Sequence, residues 1–164
     1  MFEVLIYVYE NYWRGDACPD LDQLERKLST VGFEADEIEA ALIWLNGLNL
    51  AAKGSQLPLN LSEAPHTSPL AQQSANSMRV YSVAEQDQLG SECLGFISFL
   101  ESSGVLPCVM REIVMDRAMA ANDAPMSLDE IKIIILMVYW SFGEEPEALV
   151  LDELCDASSD RLAH

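Results

Sequence analysis

The sequence predicts a mainly α fold: a helical bundle with a winged-helix-like N-terminal part and at most two short β-strands. Three observations predict it. Apolar residues recur at helical spacing through residues 1–48 and again through most of 83–156. Two Ser-x-x-Glu pairs, Ser82 with Glu85 and Ser127 with Glu130, stand ahead of apolar runs as capping boxes. Between the two halves, residues 51–77 hold three prolines and five serines and almost no charge, so no helical period survives there.

The elements follow in order. Val4, Leu5, Val8, Tyr9 and Tyr12 share one face of a first helix. A polar turn, RGDACPD, leads to Asp20, a helix cap, and to a second helix with Leu21, Leu24, Leu28 and Val31 as its stripe. Gly32 sits where a left-handed helix end is wanted. A third helix runs from about Ala35 to Leu48, buries Ile38, Ala41, Leu42, Leu45 and Leu48, and carries Glu34, Asp36, Glu37 and Glu39 at its positive end. Leu57, Leu59 and Leu61 alternate as a short strand would, and so does MRVYS at 78–82. A fourth helix covers 83–103 with a break near Gly90; its inner face is Leu89, Cys93, Phe96, Ile97 and Leu100. Pro107 opens a fifth, to about 121, with Met110, Ile113, Val114 and Met119 inward. The sixth, 128–142, is apolar on nearly every side and therefore central, and Gly143 stops it. A last helix spans about 146–156. The organisation is a helix-turn-helix-like segment 1–50, a loop 51–77, a helical bundle 78–157 and a tail 158–164.

The 164 residues suit one domain, or two small ones sharing a core. Net charge is −18, from 27 acids against 9 bases. Such a field repels nucleic-acid phosphates and anionic membranes and favours basic partners. Four cysteines at 18, 93, 108 and 155 lack CxxC spacing, and the start MFEVLIYVYE lacks the basic region of a signal peptide, so a reducing cytoplasm is expected. The apolar run IIILMVYW at 133–140 is far short of the roughly 20 residues of a membrane span.

Chemistry-bearing motifs are scarce. A Ser or Cys triad requires a held histidine, and the two histidines are His66 in the loop and His164 at the end. Cys93 and Cys108 read as small core residues. Neither CxxC nor HExxH offers zinc a site, and DASSD at 156–160 is too sparse for calcium. Neither GxxxxGK[ST] nor GxGxxG is present for a nucleotide. No cofactor or metal is expected. Arg111, Glu112, Asp116 and Arg117 cluster on one helix, as ion pairs beneath the surface or as an anion site; with Arg117 close to the buried stripe, pairing is the plainer reading. The stretch GFEADEIEAALIWLNGL at 32–48 has the outline of the second half of a DNA-reading helix-turn-helix. Its Glu34, Asp36, Glu37 and Glu39 suit a protein surface better than a phosphate-lined groove.

Several blocks together, MFEVLIYVYENY, LERKLSTVGFEADEIEAALIWL, MRVYSVAEQDQLGSECLGFISFLESSGVL, MREIVMDRAMA and LDEIKIIILMVYW, resemble the bacterial Smg family in order along the chain, the 51–77 loop excepted. Ile133 stands where that family's pattern has an aromatic, and the position stays apolar. The resemblance implies a protein of unknown molecular function and brings no catalytic residues. The genes of such proteins often lie near genes for DNA processing, a slight point for the winged-helix reading.

The expected protein is thus a cytoplasmic, non-enzymatic adaptor that binds another protein with a basic surface, away from membranes. The alternatives are a winged-helix-type nucleic-acid regulator using the third helix and the wing of two short strands, and a small anion-binding protein or enzyme centred on Arg111 and Arg117. The oligomeric state stays open.

Overall fold

The computed structural model describes residues 1–12, 21–56, 79–121 and 125–144, with the backbone alone at 22, 55 and 56. They form an all-α bundle of six helices: α1 Phe2–Tyr12, α2 Leu21–Val31, α3 Ala35–Gln56, α4 Val83–Ser102, α5 Cys108–Met119 and α6 Leu128–Phe142. The expected turn at 13–20 with its Asp20 cap, the strand at 57–61 and the helix at 146–156 lie outside the described residues, as do His66, His164, Cys18 and Cys155.

Helix α6 is the centre, as its all-round apolarity requires. Every residue from Ile131 to Tyr139 is buried, and the helix packs against α1, α3, α4 and α5. Its ends match their local signals. Ser127 Oγ accepts from the Glu130 amide at 3.3 Å while Glu130 accepts from the Ser127 amide at 2.8 Å. Gly143 closes the other end in the left-handed conformation. The Ser82–Glu85 box opens α4 in the same way. That helix bends at Gly90, whose φ of 67° and ψ of 172° lie outside the helical region.

One core joins the N-terminal helices to the C-terminal ones. Val4, Leu5 and Val8 of α1, Leu24 and Leu28 of α2, and Ala41, Leu45 and Leu48 of α3 belong to the same buried cluster as α5 and α6. Each Val or Leu among them contributes about 1.5–3 kcal/mol on burial. Polar side-chain tips then fix the helices against one another. Trp44 Nε1 donates to the Arg117 carbonyl at 3.0 Å, tying α3 to α5. Trp140 Nε1 reaches the Tyr12 carbonyl, tying α6 to α1. The Tyr139 hydroxyl donates to the Val105 carbonyl between α4 and α5.

Three expectations are corrected. Helix α3 continues to Gln56 rather than stopping at Leu48. Asn49 interrupts the apolar stripe without breaking the helix, and Ala52, one turn beyond Leu48, is buried in line with it. No strand occurs among the described residues, so 79–82 is not one. Ser82 has extended dihedrals, but the segment serves α4 as its cap and carries Arg79 and Tyr81 onto the bundle surface. Cys93 is buried as expected, whereas Cys108 is exposed at the start of α5.

Candidate functional site

The turn between α2 and α3 builds a groove. Gly32, with φ of +107°, lets the chain reverse just after α2. Its amide and that of Phe33 both donate to the Leu28 carbonyl, at 3.2 and 3.4 Å. The reversal brings Val31 and Phe33 beside the first turns of α1 and α3. Phe33 is fixed by Tyr7, edge to face, with ring centroids 5.7 Å apart. The result is a groove of about 480 Å³ lined by Glu3, Val31, Gly32, Phe33, Glu34 and Glu37. Val31 is 52 % exposed. Glu37 already accepts from the Met1 amino group at 3.1 Å, so the site holds one cation of its own.

Helix ends explain why the acids stand here. Glu3 lies in the first turn of α1, and Glu37 in the first turn of α3, where the positive end of each helix favours a carboxylate. Three carboxylates around two apolar side chains can accept hydrogen bonds from Lys or Arg while an apolar group rests on Val31 and Phe33. Of the four acids singled out in the sequence, Glu34 and Glu37 line this groove. Asp36 and Glu39 are exposed on α3 outside it. Sequence reasoning missed Glu3, because α1 is distant in the chain from α3, and it assigned Val31 to the apolar stripe of α2, whereas the end of that helix turns it outward into the groove beside Phe33.

The second cluster is an ion-pair ladder. Arg111, not Arg117, is the buried arginine, only 1 % exposed. Its Nη1 donates to Glu101 at the end of α4, and its Nε and Nη2 to Glu112, at 3.0 and 2.7 Å. Glu112 also accepts from Arg79, at 2.9 and 3.0 Å, and Arg79 reaches Glu85 at 2.8 Å. The Arg79 guanidinium lies over the Tyr81 ring, 4.9 Å from its centroid. The hydrogen bond from Arg79 holds the Glu85 carboxyl below its usual range against the push of burial. Burial pushes Glu112 up, but hydrogen bonds from Arg79 and Arg111 outweigh it and leave its pKa lowered. Arg79 answers in kind: burial opposes its charge, yet Glu85 and Glu112 raise its pKa.

Arg117 pairs with its neighbour Asp116, at 3.0 and 2.7 Å. Its guanidinium covers Gly47, where a Cβ would stand 1.9 Å from Nη1. Of the ladder, Arg111 and Glu112 were legible in the sequence; Arg79, Glu85 and Glu101 come from other elements. Among the described residues, no three His, Cys, Asp or Glu side chains group as a metal site. No described helix is long and apolar enough to cross a membrane.

A family model described as a protein of unknown function, DUF494, matches residues 1–164. The chain is 57 % identical over 164 residues to a protein Smg homolog of Leptothrix cholodnii, with all of both chains covered. It is 55 % identical to one of Methylibium petroleiphilum and 48 % identical to one of Bordetella avium, again over the whole of each. No solved structure matches it. The chain therefore belongs to the Smg-homolog family, whose molecular function is unknown.

Proposed function

We propose that the chain is a non-enzymatic adaptor of the cytoplasm that binds another protein through the groove beside the α2–α3 turn. The observation that carries this reading is the company the acids keep. Glu3, Glu34 and Glu37 surround Val31 and Phe33 in one concavity. A segment with a Lys or Arg next to an apolar side chain satisfies both parts of such a lining, and the net charge of −18 steers it there. The test is a tagged chain captured from its host, split into nuclease-treated and untreated halves, beside an E3K/E34K variant. A protein retained in both halves and lost from the variant supports the reading. Capture that the variant leaves intact overturns it.

The nucleic-acid reading would use the outer face of α3. That face presents Asp36 and Glu39 against Lys53 alone, which repels phosphate more than it draws it. DNA retention that falls steeply with salt would restore it. The anion-site reading meets a different obstacle. Arg111 and Arg117 are held by Glu101, Glu112 and Asp116, so an incoming anion would have to displace a carboxylate.

A further inference from the structure

Among the described residues, nothing covers Ile43 or Leu50 on the outer face of α3. Ile43 and Leu50 are 67 % and 64 % exposed on a helix whose opposite face is fully packed. Seven residues apart, they lie on one line along the helix, about 10.5 Å from each other. Two further lines with the same spacing flank them. On one side run Glu39, Asn46 and Lys53; on the other, Ala40, Gly47 and Gly54. Glu39 and Lys53 have no ion-pair partner among the described residues.

We propose that α3 pairs antiparallel with α3 of a second copy of the chain, about a two-fold axis between residues 46 and 47. An interface on such an axis must be self-complementary. This one is, line by line. Ile43 meets Leu50 of the other copy, and Leu50 meets its Ile43. On the charged side, Glu39 stands level with the other copy's Lys53, twice over. On the small side, Ala40 stands level with Gly54. The Arg117 guanidinium fills the space over Gly47 and edges this side. A parallel pairing would set Asp36 and Glu39 against themselves, so the charges select the antiparallel direction.

The pairing is independent of the groove and has the opposite salt response. Each copy carries −18, so added salt screens the long-range repulsion and strengthens the pair. A basic segment in the acidic groove is weakened by the same salt.

Sedimentation of the purified full chain over a concentration series tests it, with far-UV circular dichroism confirming that each variant folds. The wild type shows a reversible monomer–dimer equilibrium that tightens with salt. L50E raises its Kd roughly a hundredfold or more, because two apolar contacts are lost and two carboxylates face Ile43. At physiological salt K53E raises Kd roughly three- to thirtyfold through two exposed pairs. E39K/K53E restores it with the net charge unchanged. A chain that stays monomeric at every concentration, a dimer indifferent to L50E, or a double swap that fails to rescue K53E overturns the proposal.

Discussion

Arg111→Met tests whether the buried end of the ladder stabilises the bundle. Arg111 is 1 % exposed, and it brings its charge into the seam between α4 and α5. Removing one member of a fully buried ion pair costs about 3–5 kcal/mol, since the abandoned charge stays dry. Here the abandoned carboxylates are not dry. Glu101 is 32 % and Glu112 48 % exposed, and Glu112 keeps both hydrogen bonds from Arg79. Methionine also fills much of the volume of the arginine stem. The expected loss is therefore smaller, about 1–3 kcal/mol, from the forfeited charge-assisted hydrogen bonds. Arg111→Ala adds a cavity and costs about 2 kcal/mol more. Urea unfolding of the full chain measures both, and the melting temperature should fall by about 2–4 °C per kcal/mol. A methionine variant as stable as the wild type at neutral pH would show that the guanidinium's bonds do not outweigh its burial, and the reasoning would fail.

Three other outcomes are expected. Glu85 and Glu112 have folded pKa values below their ordinary ones, so their contribution is complete above the unfolded carboxylate range, near about 4.3, and is lost as pH falls through the lower folded values. Arg79→Met should lower stability at pH 7 and make the acid-side decline shallower; an unchanged slope in a pH series of urea melts counts against the ladder. Gly90→Ala should cost about 1–3 kcal/mol by the same assay, because φ of 67° with ψ of 172° is a region open essentially to glycine alone, and a neutral effect would mean that α4 straightens without penalty. Burial pushes the Cys93 thiol up to about 11, so a C18S/C108S/C155S variant should react with a thiol reagent only slowly until it unfolds, whereas a chain keeping Cys108 alone reacts promptly.

What the sequence revealed was local, and what it concealed was tertiary. Helix α6 was legible to the residue because its signals sit beside it: the Ser127–Glu130 box, an unbroken apolar run and Gly143. The far end of α3 was not. Asn49 breaks the apolar stripe there and small residues follow it, and only the burial of Ala52 shows the helix continuing. The segment 79–82 has β-branched and aromatic residues, which pattern alone reads as a strand. Its side chains instead serve tertiary contacts, Arg79 to Glu85 and Glu112 and Tyr81 beneath Arg79. The groove divides in the same way. Glu34 and Glu37 were visible as acids at a helix start, but Glu3 joins them only because α1 packs against α3. Spacing also favoured Arg117 as the arginine nearest the buried stripe. The fold buries Arg111, because Glu101, ten residues earlier and across a turn, meets it there.

The most direct measurement of the central claim is site-specific photo-crosslinking in the host cell. A photoreactive residue replaces Val31, in the groove, or Val109, an equally exposed valine on α5 away from it. The account predicts a discrete, nuclease-resistant protein adduct from position 31, joined through a Lys- or Arg-bearing segment, and none from position 109. No adduct at position 31, the same adducts from both positions, or an adduct with nucleic acid alone would contradict it.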